Sequence, residues 1–132
     1  MKLEHIGIAV KELSTSVPLF EQLLNTPCYK TEEVPTEGVS TAFFQTGDSK
    51  IELLEATKDT SPIAKFIGKR GEGIHHIAFE VENIEAEMKR LQALGFELLS
   101  DTPKPGADNK RVCFLHPKTT NGVLVELCQE IR

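Results

Sequence analysis

The sequence predicts an α+β fold built from two successive modules, each with the element order βαβββ. Segments with alternating apolar residues, which are typical of strands, occur in the same order in both halves of the chain. Each half also contains one segment whose apolar residues recur at helical spacing. Short sequences match between the halves: HIGIAV at 5–10 aligns with HIAFEV at 76–81, and KIELLE at 50–55 aligns with LVELCQ at 124–129. We interpret these matches as an internal duplication.

The first module, at about 1–58, begins with a strand, LEHIGIAV at 3–10. A helix is expected from about 14 to 25, with Ser14 or Ser16 as its N-cap. Three further strands complete the module: CYKTEEV at 28–34, VSTAFFQ at 39–45 and SKIELLE at 49–55, the last two joined by a tight turn at 46–48.

A short helix at about 61–70 is expected to link the modules. Ser61 is its predicted N-cap and Pro62 its first residue, a position that tolerates proline because the missing N–H has no partner there. A glycine-containing connection follows the helix. The whole chain, 1–132, is therefore predicted to form a single domain made of two modules and this linker helix.

The second module, at about 73–130, begins with the strand GIHHIAFEV at 73–81. A helix follows, capped by Asn83 and ended by Gly95. Its predicted buried stripe consists of Ile84, Met88, Leu91 and Leu94. The remaining predictions are a short strand FELLS at 96–100, a Pro- and Gly-rich loop at 101–110, and two strands, RVCFLH at 111–116 and GVLVELCQ at 122–129.

Composition sets limits on function and location. The 132 residues are 39% hydrophobic and 27% charged, an ordinary balance for a globular protein. A net charge of −5 argues against general nucleic-acid binding. The three cysteines are widely spaced and odd in number, which favours reduced thiols. Since the chain shows neither a signal-peptide pattern nor an apolar run near 20 residues, a cytoplasmic protein that does not enter membranes is expected.

The duplication identifies two of the histidines as candidate functional residues. Side chains alternate between the two faces of a strand, so Ile77, Phe79 and Val81 should share the face that packs on helices. His76 then points to the opposite face, as His5 does in the first module. His75 falls on the helix side. Each selected histidine is followed two residues later by a small residue on the same face.

The duplication also couples two carboxylates, Glu52 and Glu126, which lie among apolar residues in matched strands. A carboxylate there is costly to bury unless it is paired or binds a metal ion. Taken singly, a strand histidine is more often structural, and a strand glutamate is commonly solvent-exposed. A one-residue register slip would also exchange Glu52 with Glu55. Because the four residues match in pairs, we interpret His5, Glu52, His76 and Glu126 as ligands of one divalent ion, Co²⁺ or Mn²⁺ first, with Zn²⁺, Ni²⁺ or Fe²⁺ as alternatives.

At these residues the chain resembles the vicinal oxygen chelate superfamily of glyoxalases, bleomycin resistance proteins and dioxygenases. It is most similar to the methylmalonyl-CoA epimerase family, as shown by SPIAKFI at 61–67, GEGIHHIAFEV at 71–81, FLHPK at 114–118 and GVLVEL at 122–127. The resemblance implies a curled eight-stranded mixed sheet, the glyoxalase-like cup, with the helices outside. It also implies that the same four residues hold the metal ion. Because members of this family are commonly dimers, it implies a homodimer as well.

The activity implied by this resemblance is a metal-assisted proton transfer at C2 that interconverts (R)- and (S)-methylmalonyl-CoA through an enolate. The substrate is a small CoA thioester, and the residues that contact CoA are not indicated. The resemblance implies that Glu126 is a catalytic base as well as a ligand, facing a second glutamate. Thr41 stands at that second position and is not a base at neutral pH, so Glu37, Glu55 or a metal-bound water is left as a substitute.

Other functions fit the same superfamily. A lactoylglutathione lyase like glyoxalase I shares the metal and the proton transfer. An extradiol dioxygenase needs two histidines and one carboxylate on Fe²⁺, so a fourth ligand at Glu52 argues against it. A metal-free drug-binding protein is expected to have an aromatic groove, whereas only 6% of these residues are aromatic and tryptophan is absent.

Overall fold

The computed structural model describes all 132 residues, which form eight strands, three α-helices and one short 3-10 helix. In chain order the elements are β1 (Lys2–Ala9), α1 (Leu13–Leu24), β2 (Lys30–Val34), β3 (Val39–Thr46), β4 (Ser49–Ala56), α2 (Pro62–Arg70), β5 (Gly73–Glu80), α3 (Ile84–Ala93), β6 (Lys104–Gly106), β7 (Lys110–Leu115), the 3-10 helix (Pro117–Thr119) and β8 (Val125–Glu130).

The eight strands form one mixed sheet in the order β2-β3-β4-β1-β5-β8-β7-β6. Within each module the first strand is parallel to the last one, whereas the remaining neighbours are antiparallel. The predicted α+β class, with two βαβββ modules in an eight-stranded mixed sheet, is confirmed. No helix is both long and apolar enough to cross a membrane.

The chain divides into two compact units. One comprises His5–His75, and the other comprises Met1–Glu4 together with His76–Arg132. In the unit His5–His75 the core consists of Val10, Ala42, Phe44 and Leu53, packed against the inner side of α1. In the other unit the core lies between α3 and the second half of the sheet, and it includes Val81, Cys113 and Leu127.

The buried stripe of α3 is shorter than predicted. Ile84, Met88 and Leu91 are buried as expected, but Leu94 is 66% exposed. Leu94 is the C-cap residue of the helix, and Gly95 follows with a φ of 98°. Because the chain leaves helical geometry at this point, the 3.6-residue period no longer carries position 94 toward the core. The predicted stop at Gly95 is confirmed.

A matched pair of substitutions on α3 tests this description of the core. We expect Leu91→Ala to lower the free energy of unfolding by about 2–5 kcal/mol, because it leaves a cavity in the core. Leu94→Ala should change that free energy by less than about 0.5 kcal/mol, since the side chain is already in water. Urea denaturation of both variants measures the difference, and equal destabilisation would show that Leu94 packs in solution.

The N-termini of the helices follow two patterns. Ser61 and Asn83 act as side-chain caps, as predicted, accepting hydrogen bonds from the backbone N–H of Ala64 and Ala86 at 3.1 and 3.0 Å. The predicted cap of α1 is wrong, because its N-cap is Glu12, which makes no side-chain capping bond. Instead, the Glu55 carboxylate of β4 accepts a 2.6 Å hydrogen bond from the Leu13 backbone N–H.

The same device occurs at α3, where the Gln129 side chain of β8 accepts a 2.8 Å hydrogen bond from the Ile84 backbone N–H. Glu55 and Gln129 occupy matching positions of the repeat, KIELLE and LVELCQ. In both modules, therefore, a side chain of the last strand accepts a hydrogen bond from the N-terminus of the module's helix. An acceptor that is distant in sequence leaves no local capping signal, which is why Ser14 and Ser16 were misleading.

The predicted strand FELLS at 96–100 is wrong. This segment contributes a single bridge, from Leu98 to Leu115. The strand next to β7 is instead β6, inside the segment predicted as a loop, and its Gly106 lies opposite Lys110. A Cβ at Gly106 would lie 2.9 Å from a methyl group of Val112, so glycine permits this close strand pairing. The Pro- and Gly-rich composition of residues 101–110 favoured the prediction of a loop, because both residue types are uncommon inside strands, and the short edge strand β6 was therefore missed.

Candidate metal centre

The first module places a histidine and a glutamate side by side. In the parallel pair of β1 and β4, Gly7 lies directly opposite Glu52, and His5 stands two residues before Gly7 on the same face. The His5 Nε2 atom lies 3.3 Å from the Glu52 Oε1 atom, and both side chains are buried. Gly7 has no side chain and therefore adds no bulk beside the Glu52 carboxylate. Glu52, rather than Glu55, faces His5, so the register is the one predicted.

The second module repeats this arrangement in the other compact unit. Ala78 of β5 lies directly opposite Glu126 of β8, and His76 stands two residues before Ala78. The His76 Nε2 atom lies 3.3 Å from the Glu126 Oε1 atom, and both side chains are again buried. Thus each unit contains its own buried histidine–glutamate pair, built on the same strand register with a small residue beside the carboxylate.

Two phenylalanines complete the repeat. Phe43 lies opposite Glu52 on the β3 side, and Phe114 lies opposite Glu126 on the β7 side. The Phe114 ring meets the His76 imidazole edge to face, with 5.8 Å between ring centroids. An apolar wall beside a carboxylate excludes water and strengthens its electrostatic interactions. The sequence interpretation missed this feature, although aligning VSTAFFQ with KRVCFL would have matched the two phenylalanines.

Apolar residues lie beside Glu126 on this face of the sheet. Ala78, Val112 and Cys128 form a small cluster on this face, with Phe114 packed against it. Burial raises the pKa of the Cys128 thiol strongly, and the negative charge of Glu126 raises it further. Cys128 therefore remains a neutral thiol near pH 7, where it neither balances the carboxylate nor acts as a base.

Buried carboxylates beside imidazoles need a positive partner, because an isolated buried anion is costly. His5 and Glu52 in one unit, and His76 in the other, each offer one potential ligand atom. Imidazole nitrogen and carboxylate oxygen together suit Zn²⁺, Co²⁺, Mn²⁺, Fe²⁺ and Ni²⁺. The donor chemistry of these residues therefore fits a divalent ion without selecting one.

The other residues considered from the sequence lie elsewhere. His75 packs on α2, where its ring meets Phe66 edge to face at 5.0 Å between centroids. The Glu55 carboxylate binds the N-terminus of α1 on the helix side and is thereby removed from the metal-binding face. Glu37 belongs to the turn between β2 and β3, where its backbone N–H donates to the Val34 carbonyl. Thr41 is buried, and its hydroxyl donates a 3.3 Å hydrogen bond to the backbone oxygen of Glu32.

Comparison with known proteins identifies relatives along the whole chain. A family model described as the Glyoxalase/Bleomycin resistance protein/Dioxygenase superfamily matches residues 4–114. The chain is 42% identical over 130 residues to the ethylmalonyl-CoA/methylmalonyl-CoA epimerase of Cereibacter sphaeroides, covering 97% of each protein.

Two solved structures share the fold. The methylmalonyl-CoA epimerase of Mycobacterium tuberculosis is 32% identical, with a TM-score of 0.95, and the match covers 99% of this chain and 89% of that one. A methylmalonyl-CoA epimerase in complex with methylmalonyl-CoA and NH4+ is 35% identical, with a TM-score of 0.91, over 98% of this chain and 94% of that one.

Proposed function

This chain belongs to the glyoxalase/bleomycin resistance/dioxygenase superfamily, and on that premise we propose that it is a methylmalonyl-CoA epimerase, which interconverts the (R) and (S) forms of methylmalonyl-CoA. The observation that carries the proposal is the 42% identity, over 97% of both chains, to an enzyme named for this reaction. The two buried histidine–glutamate pairs support it independently, because they provide the donor set that the reaction needs.

The chemical task is to remove and return one proton at C2. This carbon acid is weak, so the enolate needs electrostatic stabilisation in a site that excludes water. A divalent ion, when bound, supplies this stabilisation as a Lewis acid toward the thioester oxygen. We propose that His5, Glu52, His76 and Glu126 hold the ion. The two histidines contribute no charge when neutral, so the two carboxylates neutralise a divalent cation.

Glu126 is proposed to act on the substrate as well as on the ion. A general base must lie within hydrogen-bond reach of the proton that it removes, and a carboxylate has two oxygens, so one can bind metal while the other accepts a proton. The apolar residues Ala78, Val112 and Phe114 beside it limit the access of competing water.

The other members of the superfamily considered from the sequence are not favoured. A glyoxalase-I-like lyase and a metal-free drug-binding protein share the fold, but several relatives that match nearly the full chain are named as methylmalonyl-CoA epimerases, and none of these is named for either alternative. We also propose a cytoplasmic homodimer. All three cysteines are unpaired, which is consistent with a reducing compartment, and sedimentation of the purified protein measures the assembly.

The proposed function is tested with purified protein, one epimer of methylmalonyl-CoA, and deuterated water. We expect inversion at C2 together with incorporation of deuterium there. Removal of divalent ions by a chelator should abolish both, and added Co²⁺ or Mn²⁺ should restore them. Ethylmalonyl-CoA serves as a second substrate, because the Cereibacter relative is named for both, and the hemithioacetal of glutathione serves as the control. Turnover of the hemithioacetal alone would contradict the proposal.

A further inference from the structure

The proposed epimerisation needs two proton-transferring groups, one on each side of the planar enolate, whereas Glu126 provides only one. Thr41 occupies the position at which the resemblance implies the second carboxylate. It is 1% exposed and has no acidic group. Since Glu55 binds the N-terminus of α1, the second group must be sought elsewhere on the face that carries Glu52.

The strand register places one carboxylate on this face beside Thr41. Phe43 lies opposite Glu52, so Phe43 and Thr41, two residues apart, share the face of Glu52. Glu32 of β2 lies directly opposite Thr41, and it therefore shares that face too. The opposite face of the same strands is occupied by the core residues Ala42, Phe44 and Leu53 under α1, which confirms the alternation.

The contact between Thr41 and Glu32 supports the same placement. The Thr41 hydroxyl donates to the Glu32 backbone oxygen at 3.3 Å, so the short side chain turns toward β2 instead of filling the space above the sheet. Neighbouring strands are about 4.8 Å apart. A carboxylate at position 32 is thus displaced by about one strand spacing from a carboxylate at position 41.

Glu32 is held by a cation on the same face. The Lys30 Nζ atom lies 3.4 Å from the Glu32 Oε1 atom, and the same ammonium lies 5.6 Å from the centroid of the Phe43 ring. Phe43 itself is buried beside Glu52. These contacts extend a continuous row from Glu52 through Phe43 and Lys30 to Glu32. The Glu32 side chain is 30% exposed, so it can exchange protons with solvent between turnovers.

We propose that Glu32 is the second acid–base residue, an inference that rests on the proposed function. In one direction the Glu126 carboxylate removes the C2 proton, the electrons of the C–H bond pass into the enolate, and the carboxylic acid form of Glu32 gives its proton to the opposite side of C2. In the other direction the two residues exchange roles. After each inversion one residue has gained a proton and the other has lost one, and exchange with solvent restores both.

The test uses Glu32→Gln, with Glu33→Gln as a matched control. Glu33 is the next residue of β2, lies opposite Ser40 and is exposed on the other face. Each metal-loaded variant is given (R)- or (S)-methylmalonyl-CoA separately in deuterated water, and both inversion and deuterium at C2 are measured. E33Q should behave as the wild type. E32Q should invert about 10²–10⁴-fold more slowly, the usual effect of losing an acid–base group.

Deuterium exchange distinguishes catalysis from a structural role. With E32Q, the epimer whose proton faces Glu126 should still exchange without inverting, whereas the other epimer should neither exchange nor invert. Equal loss of exchange for both epimers would indicate a structural role and overturn the proposal, as would inversion by E32Q at the rate of E33Q. Adding Thr41→Glu to E32Q should restore part of the inversion.

Two further outcomes remain interpretable. If circular dichroism shows that E32Q is unfolded, Glu32→Thr, which suits a strand, carries the same test with the same two criteria. If the wild-type protein itself fails to invert methylmalonyl-CoA, the proposed function is wrong. A wild type that inverts, together with an E32Q that inverts equally well, leaves the function standing and excludes Glu32.

Discussion

Replacing His76 with alanine is expected to release the divalent ion and to lower kcat/KM for methylmalonyl-CoA by about 10³-fold or more, because the Lewis acid supplies several kcal/mol of stabilisation to the transition state. The imidazole nitrogen is 3.3 Å from Glu126 and is buried, so alanine leaves a cavity and a carboxylate without its partner. Elemental analysis of the purified variant measures the metal, and the epimerisation assay measures the rate.

His75 supplies the control for this substitution, because it is the adjacent residue on the opposite face of β5. Its ring packs against Phe66 of α2. We expect His75→Asn to keep its metal and most of its activity, although it loses a ring contact. Undiminished metal in His76→Ala would exclude His76 as a ligand. An equally deep loss of activity in both variants would mean that the two faces of this strand do not differ in function.

Replacing Glu126 with glutamine is expected to lower kcat by about 10²–10⁴-fold, the range for loss of a general base. Glutamine keeps the shape of the side chain and one carbonyl oxygen that can bind a metal, so we expect the variant to retain part of its metal. It cannot accept a proton from C2. Single-epimer assays in deuterated water measure both steps, and the epimer that still exchanges in E126Q should be the one that does not exchange in E32Q.

Glu52→Gln is the matched control for Glu126→Gln. Both residues have the same partner geometry, a histidine nitrogen at 3.3 Å, and both are buried. If Glu52 serves only as a ligand, its amide should sustain most of the activity once metal is supplied. Inversion by E126Q at the rate of E52Q would show that Glu126 is not a base, and a loss in E52Q as deep as in E126Q would mean that the two carboxylates act alike.

Much of the fold could be predicted from the sequence because its signals are local or repeated. Ser61 and Asn83 cap helices with their own side chains, and Gly95 ends a helix, so each boundary is encoded within a few residues. The cap of α1 was not predictable in this way, since Glu55 reaches it from a strand distant in sequence. The β6 strand was also missed, because its pairing depends on how Gly106 fits against Val112 and not on its own composition.

The candidate site, like the fold, could be predicted from the sequence only in part. The duplication and the two-residue period of strands sufficed to place His5 and His76 on one kind of face and His75 on the other, because side-chain alternation in a strand is fixed by backbone geometry. The sequence by itself also matched Glu52 with Glu126. Only the tertiary structure decided which carboxylate stands beside which histidine, that Glu55 serves a helix, and that Glu32 lies across from Thr41. These relations depend on the register between strands, which is set by packing of the whole sheet and leaves no mark on any single segment.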